Sequence, residues 1–229
     1  MNDLIGHIQI KVNENIYLKD PDSSELGRRI VREGILLIDK IGLEQFTFRK
    51  LANRLDTTES SIYRYFESKQ KFLIYLTSWY WGWLEYQLVF STTNVTSPAD
   101  RFRSSIEVIA RDINPGTTFG NIDLFRLKQI VISESSKAYL TKAVDDSNRA
   151  GFYAAYKRVL ARISDIVLEI NPEFRYPHTL ISTIVEGIHH QIYFADHLPS
   201  LTDIKHDCRQ LANFFIDMAM TTIEKSKKS

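Results

Sequence analysis

The chain has 229 residues and is poor in the residues that staple, break or anchor a protein. A single cysteine, Cys208, excludes an internal disulfide framework and any cysteine-rich metal motif, and suits a reducing compartment. Nine glycines and six prolines are too few to punctuate a turn-rich β fold, so long helices are expected. No run of about 18 apolar residues is present, which argues against a membrane span. No basic stretch followed by an apolar core opens the chain, so no secretory signal is expected. Together these features predict a cytoplasmic protein. The formal net charge is only +1, so any binding of nucleic acid must come from a local patch. No nucleophile elbow, phosphate loop or paired-carboxylate motif stands in a supporting context, so no catalytic residue and no cofactor are expected.

What is present is a 44% hydrophobic, 25% charged composition, enough for a core that needs no staples. Residues 7–12 alternate apolar and polar side chains, Asn13-Glu14-Asn15 is a turn signal and Ile16-Tyr17-Leu18 suits a returning strand, the pattern of a short β-hairpin arm over 7–19. Pro21 to Glu25 then opens a helix that runs to a plausible C-cap at Gly42. Short helices are expected at about 47–55 and 59–65, and a longer one at 69–90. The polar stretch Ser91–Pro98 is the clearest break. Beyond it, helices are expected at about 99–112, 121–139, 142–170, 177–197 and 203–226. The division expected is an arm over 1–20, a head over 21–75 and a helical body over 76–229.

The informative segment runs from Gly42 to Lys69. Thr47 is a good N-cap, and Leu51 and Leu55 lie one turn apart on an inner face beside the small Ala52. Asp56-Thr57-Thr58 makes a three-residue turn, after which Thr58 can cap a second helix that turns Ile62 and Phe66 inward. Its outer face carries Ser60, Ser61, Tyr63, Arg64 and Tyr65, groups able to donate to phosphates and base edges. Residues 25–71 hold ten Lys/Arg against seven Asp/Glu, a modest local excess of positive charge.

This stretch resembles the DNA-binding signature of the tetracycline-repressor (TetR) family. Gly42, Thr47, Leu51-Ala52, Leu55, Tyr63, Phe66 and Lys69 fall in register with it, and Phe72 and Leu73 continue the pattern. Asp56 stands where the family usually has glycine, and Asp tolerates the left-handed backbone better than most residues. The resemblance implies that Thr47 and Lys69 meet phosphates and that Tyr63 and Tyr65 touch backbone or bases. Arg49, Thr58, Ser60, Ser61 and Arg64 complete the DNA-facing set, with Ser60, Ser61 and Arg64 as candidates for sequence discrimination.

The resemblance also implies a C-terminal body that binds an effector and dimerises. Trp79, Trp83 and Tyr86 share one helical stripe, and Phe125, Tyr153 and Tyr156 add aromatics that either line the same cavity or fill the bundle. An apolar or aromatic effector would suit them. Ile184, Ile188 and Ile192, with Leu211, Phe215 and Met218, give the last two helices apolar stripes expected to form a dimer interface. Glu186, His189, His190 and His197 do not have zinc-site spacing, so no metal is expected. The reading is an all-α protein: a three-helix helix-turn-helix head, a dimerising helical bundle and a hairpin arm. Its expected partners are a near-palindromic double-stranded operator, a second copy of itself and a small effector. It is read as a repressor that the effector releases. The alternative is a DNA-binding dimer without an effector, controlled by a protein partner.

Overall fold

A computed structural model describes residues 9–226. Among them are eleven α-helices, three short 3-10 turns and one two-stranded hairpin. The chain forms two compact units, residues 9–82 with 113–154 and residues 83–112 with 155–226.

The first unit opens with α1 (Glu25–Gln45), α2 (Phe48–Leu55), α3 (Glu59–Tyr63) and α4 (Lys69–Thr92, as far as Gly82). Each of the first three starts at a hydroxyl residue whose side chain accepts an orphan backbone N–H, as the sequence predicts for Thr47 and Thr58: Ser24 takes that of Gly27, Thr47 that of Lys50 and Thr58 that of Ser61. Asp56 ends α2 in the left-handed region (φ 51°, ψ 52°), so the turn keeps the geometry that glycine usually provides. Gly42 also has positive φ (74°), but there α1 is broken rather than ended. The helix resumes for one turn to Gln45 and buries Leu43.

The core of this unit is an aromatic cluster around Phe72. Its ring stacks on Phe46 at 5.7 Å and meets the edges or faces of Phe66 at 4.9 Å and Phe48 at 6.4 Å. Gly34 of α1 lets the ring in, because a Cβ there would sit well inside contact distance of Phe72.

The segment 113–154 completes the unit. Strands β1 (Thr118–Phe119) and β2 (Ile122–Asp123) pair antiparallel around Gly120, and Asp123 caps α6 (Leu124–Glu134). The helix expected at 121–139 therefore starts three residues late, and α7 (Ser136–Tyr139) follows it separately. The helix expected from 142 is interrupted too: α8 (Val144–Arg149) ends before Gly151, whose φ is 78°. The hairpin expected at 7–19 is corrected: residues 7 and 8 lie outside the described residues, and 9–20 contain no strand. The sequence Asn13-Glu14-Asn15 does turn, as a 3-10 turn over Glu14–Ile16 capped by Asn13, but no returning strand pairs with it.

The second unit holds the end of α4, α5 (Pro98–Ala110), α9 (Ala154–Ile170) from Ala155 onward, α10 (Pro177–His197) and α11 (Cys208–Lys225). α10 and α11 cross closely at Gly187, where a Cβ would come within 2.8 Å of the Phe215 ring. Asn171 is buried and donates to the Ile223 carbonyl at 2.9 Å, tying the end of α9 to the end of α11. No described helix is long and apolar enough to cross a membrane.

Gly34→Ala should overpack the Phe72 cluster and destabilise the protein by about 1–3 kcal/mol. Denaturant unfolding is the measurement, with a lowered midpoint at unchanged slope expected.

Candidate nucleic-acid interface

α2 and α3 form a helix-turn-helix whose inner side is fully committed to the core: Leu51, Ala52, Leu55, Ile62 and Phe66 are all buried. That commitment leaves the opposite side outward. Thr47, Arg49, Thr58, Ser60, Tyr63 and Arg64 are exposed, and Ser61 is half-buried. The three hydroxyls at the start of α3 interlock, with Thr58 Oγ1 at 2.9 Å from both Ser60 Oγ and Ser61 Oγ. Tyr63 is 46% exposed and stands edge-on against Phe48 at 5.1 Å, so packing holds its ring while its outer side stays open. Arg49 and Arg64 form no ion pair among the described residues.

Two expected contacts are placed differently. Tyr65, expected at the DNA, is only 3% exposed, and its hydroxyl is 2.7 Å from Ser24 Oγ. This is a correction: the residue is part of the core, because the chain turns at Arg64 and rolls position 65 inward. Lys69, expected to meet a phosphate, directs its ammonium at the carbonyls of Leu43 (3.1 Å), Glu44 (3.3 Å) and Phe46 (3.5 Å). It thereby caps the broken end of α1, where four carbonyls lack helical partners.

Several positioning residues were not legible in the sequence. Glu134, buried on α6, accepts the Leu43 N–H at 3.1 Å and pairs with Lys137 Nζ at 2.7 Å. The hydrogen bond and charge of Glu134 raise the Lys137 pKa against the opposing effect of burial. Arg29 donates to the Leu55 carbonyl at the end of α2 (3.1 Å). Lys50 does the same for the Gln45 carbonyl at 2.8 Å. Glu33 of α1 accepts from Arg54 of α2 at 2.6 Å and from Arg32 at 3.2 Å. Burial alone would raise the Glu33 pKa, but these hydrogen bonds outweigh it and hold it below the usual glutamate value. These residues show no periodicity of their own, and their partners lie up to 91 residues away.

The six aromatics expected around an effector are divided between the two units. In the first, Trp79 is buried edge-on to Phe119 at 6.0 Å, Phe125 is half-buried, and Tyr153 donates to the Ala138 carbonyl at 3.0 Å. In the second, Trp83 and Tyr86 are half-buried, and Tyr156 donates to Glu186 Oε1 at 2.8 Å. A cleft of about 620 Å³ in the second unit is lined by Glu107, Arg111, Asp112, Cys208 and Arg209, and by none of these aromatics. His189 is buried, whereas His190 and His197 are exposed. No group of three or more His, Cys, Asp or Glu side chains among the described residues is arranged to hold a metal ion.

The expected dimer residues also need correction. Ile184, Ile188, Leu211 and Phe215 are buried within a single chain, so they form the core of the second unit. The outward side of α11 presents Met218, which is exposed, and Phe214, which is 54% exposed, while Ile192 on α10 is half-buried.

A capped helix-turn-helix with an outward face of hydroxyls and arginines is a candidate DNA-binding head, here in a predominantly helical chain. Residues 30–76 match the model of the bacterial regulatory proteins of the tetR family. AibR in complex with isovaleryl coenzyme A and operator DNA has a similar fold (TM-score 0.59, 16% identity, 83% of this chain and 97% of that one). So does a tetR-family bacterial regulatory protein from Rhodococcus RHA1 (TM-score 0.59, 13% identity, 87% and 97%). The superantigen PfiT shares the fold as well (TM-score 0.57, 15% identity, 87% and 97%). A sequence comparison with curated proteins finds no match.

Lys69→Met should cost about 1 kcal/mol in denaturant unfolding, because the α1 carbonyls lose their cation. The dependence of DNA affinity on salt should stay unchanged; a slope smaller by about one would mean a phosphate contact after all. Glu33 has a folded pKa below its unfolded one. Its contribution to stability is therefore complete above the ordinary value of 4.5 and is lost as pH falls through the folded value. Glu33→Gln should flatten the acid limb of a stability-against-pH curve, measured by thermal unfolding between about pH 3 and 6.

Proposed function

We propose that this protein is a sequence-specific transcription regulator that binds a near-palindromic operator as a homodimer and that a small-molecule effector releases. The observation that carries the reading is the outward face of α3. Ser60, Ser61 and Tyr63 stand on this helix and Arg64 at its C-cap, while Ile62 and, just beyond the helix, Phe66 are buried on the opposite side. A rigid helix bearing donors suits the major groove, with Arg64 able to reach two acceptors of a guanine and Thr47 and Arg49 at the flanking phosphates. Fold alone would not suffice, since PfiT has the same fold. The match of residues 30–76 and the chemistry of this face support DNA.

Dimerisation follows from the geometry of B-DNA, where two recognition helices must lie about 34–36 Å apart to meet successive major grooves. In the proposed dimer the outward side of α11, with Phe214 and Met218, is the apolar patch that a second copy would cover. Control by a small molecule is supported by the similarity in fold to AibR, which was crystallised with an acyl coenzyme A and DNA. The effector would act by binding more tightly to a state whose heads are wrongly spaced. The cleft of the second unit is lined by none of the expected aromatics, which favours keeping a second reading, a DNA-binding dimer controlled by a protein partner. Thermal unfolding with and without short-chain acyl coenzyme A compounds separates the two, with stabilisation expected only for an effector-controlled protein.

Selection from a random duplex library with the full chain should enrich a near-palindrome. Arg64→Ala should weaken binding to it by about 1–3 kcal/mol and relax the preference at one position in each half-site. Failure of the wild-type protein to enrich any sequence, at low as well as physiological salt, would overturn the reading.

A further inference from the structure

The recognition reading leaves the segment ahead of α1 without a task. Residues 9–24 have little regular structure, yet they are anchored along their length. Ile10 and Ile16 are buried, and Ile10 occupies the space above Gly82, where a Cβ would lie 2.8 Å from its methyl. Asn13 donates to the Ala150 carbonyl at 2.9 Å, and Lys71 donates to the Asn15 carbonyl at 3.3 Å. Tyr17 meets the edge of Tyr75 at 6.1 Å. Pro21 lies so close to α1 that only a glycine fits at position 27.

The anchored segment converges on one residue at the end of the recognition helix. Leu18 N–H donates to the Tyr65 carbonyl at 2.8 Å. Ser24 Oγ is 2.7 Å from the Tyr65 hydroxyl. The ammonium of Lys19 lies 5.2 Å from the centre of the Tyr65 ring. Backbone, hydroxyl and ring face are thus all engaged from the same segment. Tyr65 is itself bonded back to the helix, its N–H donating to the Ile62 carbonyl at 2.9 Å, and the Phe66 N–H shares that acceptor. α3 is only five residues long, too short to hold its own conformation by hydrogen bonds alone.

We propose that residues 9–24 are a strap that sets the orientation of the recognition helix through Tyr65, making Leu18, Ser24 and Tyr65 positioning residues for operator recognition. The proposal rests on the DNA-binding reading for its purpose, but the strap itself is a property of the free protein. Lys19 belongs to the strap by its contact with Tyr65 and does not reach a phosphate. Restraining the helix before DNA arrives lowers the ordering cost of binding, so loosening it weakens specific affinity without removing a phosphate contact.

The test uses the full chain with Leu18→Pro, Tyr65→Phe and Lys19→Ala. Leu18→Pro removes the single N–H donor, and the extended Tyr17 before it (φ −126°, ψ 158°) accepts a following proline. Tyr65→Phe keeps the buried ring and removes only the hydroxyl, so it serves if the proline variant misfolds. In the absence of DNA, hydrogen exchange at the Tyr65 and Phe66 amides should quicken by about five- to tenfold in both variants, at unchanged helical content. With the duplex enriched by the wild-type protein, both should bind about five- to tenfold more weakly at an unchanged salt slope. Unchanged exchange at those amides in both variants would overturn the strap. So would a salt slope reduced by about one in Lys19→Ala, which would make the segment a DNA-contacting arm. If the wild-type protein enriches no duplex while exchange quickens as expected, the strap stands and the DNA-binding reading falls.

Discussion

The arrangement of the first unit depends on the ring of Phe72 entering the space left by Gly34. α4 supplies the ring, α1 supplies the gap, and Phe46, Phe48 and Phe66 close around it from the segments between. Because α2 and α3 are short, neither has enough internal hydrogen bonding to persist alone. Their shared aromatic anchor replaces what length would provide, and it fixes which side of each faces out. The hydroxyls and arginines that form the candidate interface are exposed because Phe72 draws the apolar side inward.

Around that anchor, charged side chains act on backbone groups more than on one another. Lys69 gathers the carbonyls of the broken end of α1, Glu134 takes the Leu43 N–H beyond the break, and Arg29 takes the last carbonyl of α2. A break such as that at Gly42 exposes donors and acceptors that a continuous helix would pair, and leaving them unmet inside a protein costs more than a typical hydrogen bond contributes. The break in α1 persists because these side chains meet its backbone groups. They also connect α6 to the turn that leads into the helix-turn-helix, so two parts of the first unit share one set of polar contacts.

A fold shared with AibR, a Rhodococcus regulator and a superantigen does not choose among functions. The choice here rests on the surface of the head. The same polar groups that make α3 a candidate reader would be poor core residues, and the packing leaves them accessible. In the second unit the reverse holds. The apolar stripes of α10 and α11 are so wide that most of each is consumed inside the chain, leaving Phe214 and Met218 as the outward part.

The sequence by itself determined the helical class, the start of α2 and α3 at Thr47 and Thr58, the left-handed turn at Asp56 and the inward set of Leu51, Leu55, Ile62 and Phe66. All of these follow from local rules: a hydroxyl takes a free N–H, an Asp accepts positive φ, and side chains one turn apart share a face. Tertiary structure decided what local rules leave open. Periodicity marks a residue as inward without naming what it meets, so Ile184, Ile188, Leu211 and Phe215 read equally well as dimer contacts or as core. A cation at a helix start suits a phosphate or a carbonyl, and only the position of α1 gives Lys69 to the latter. The arm's alternation at 7–12 suggested a hairpin, but Ile10 and Ile16 are buried in the first unit instead, and Tyr65 is buried beside the same segment. In each case the deciding partner lies far along the chain, and its distance in space is set by packing that no local pattern encodes.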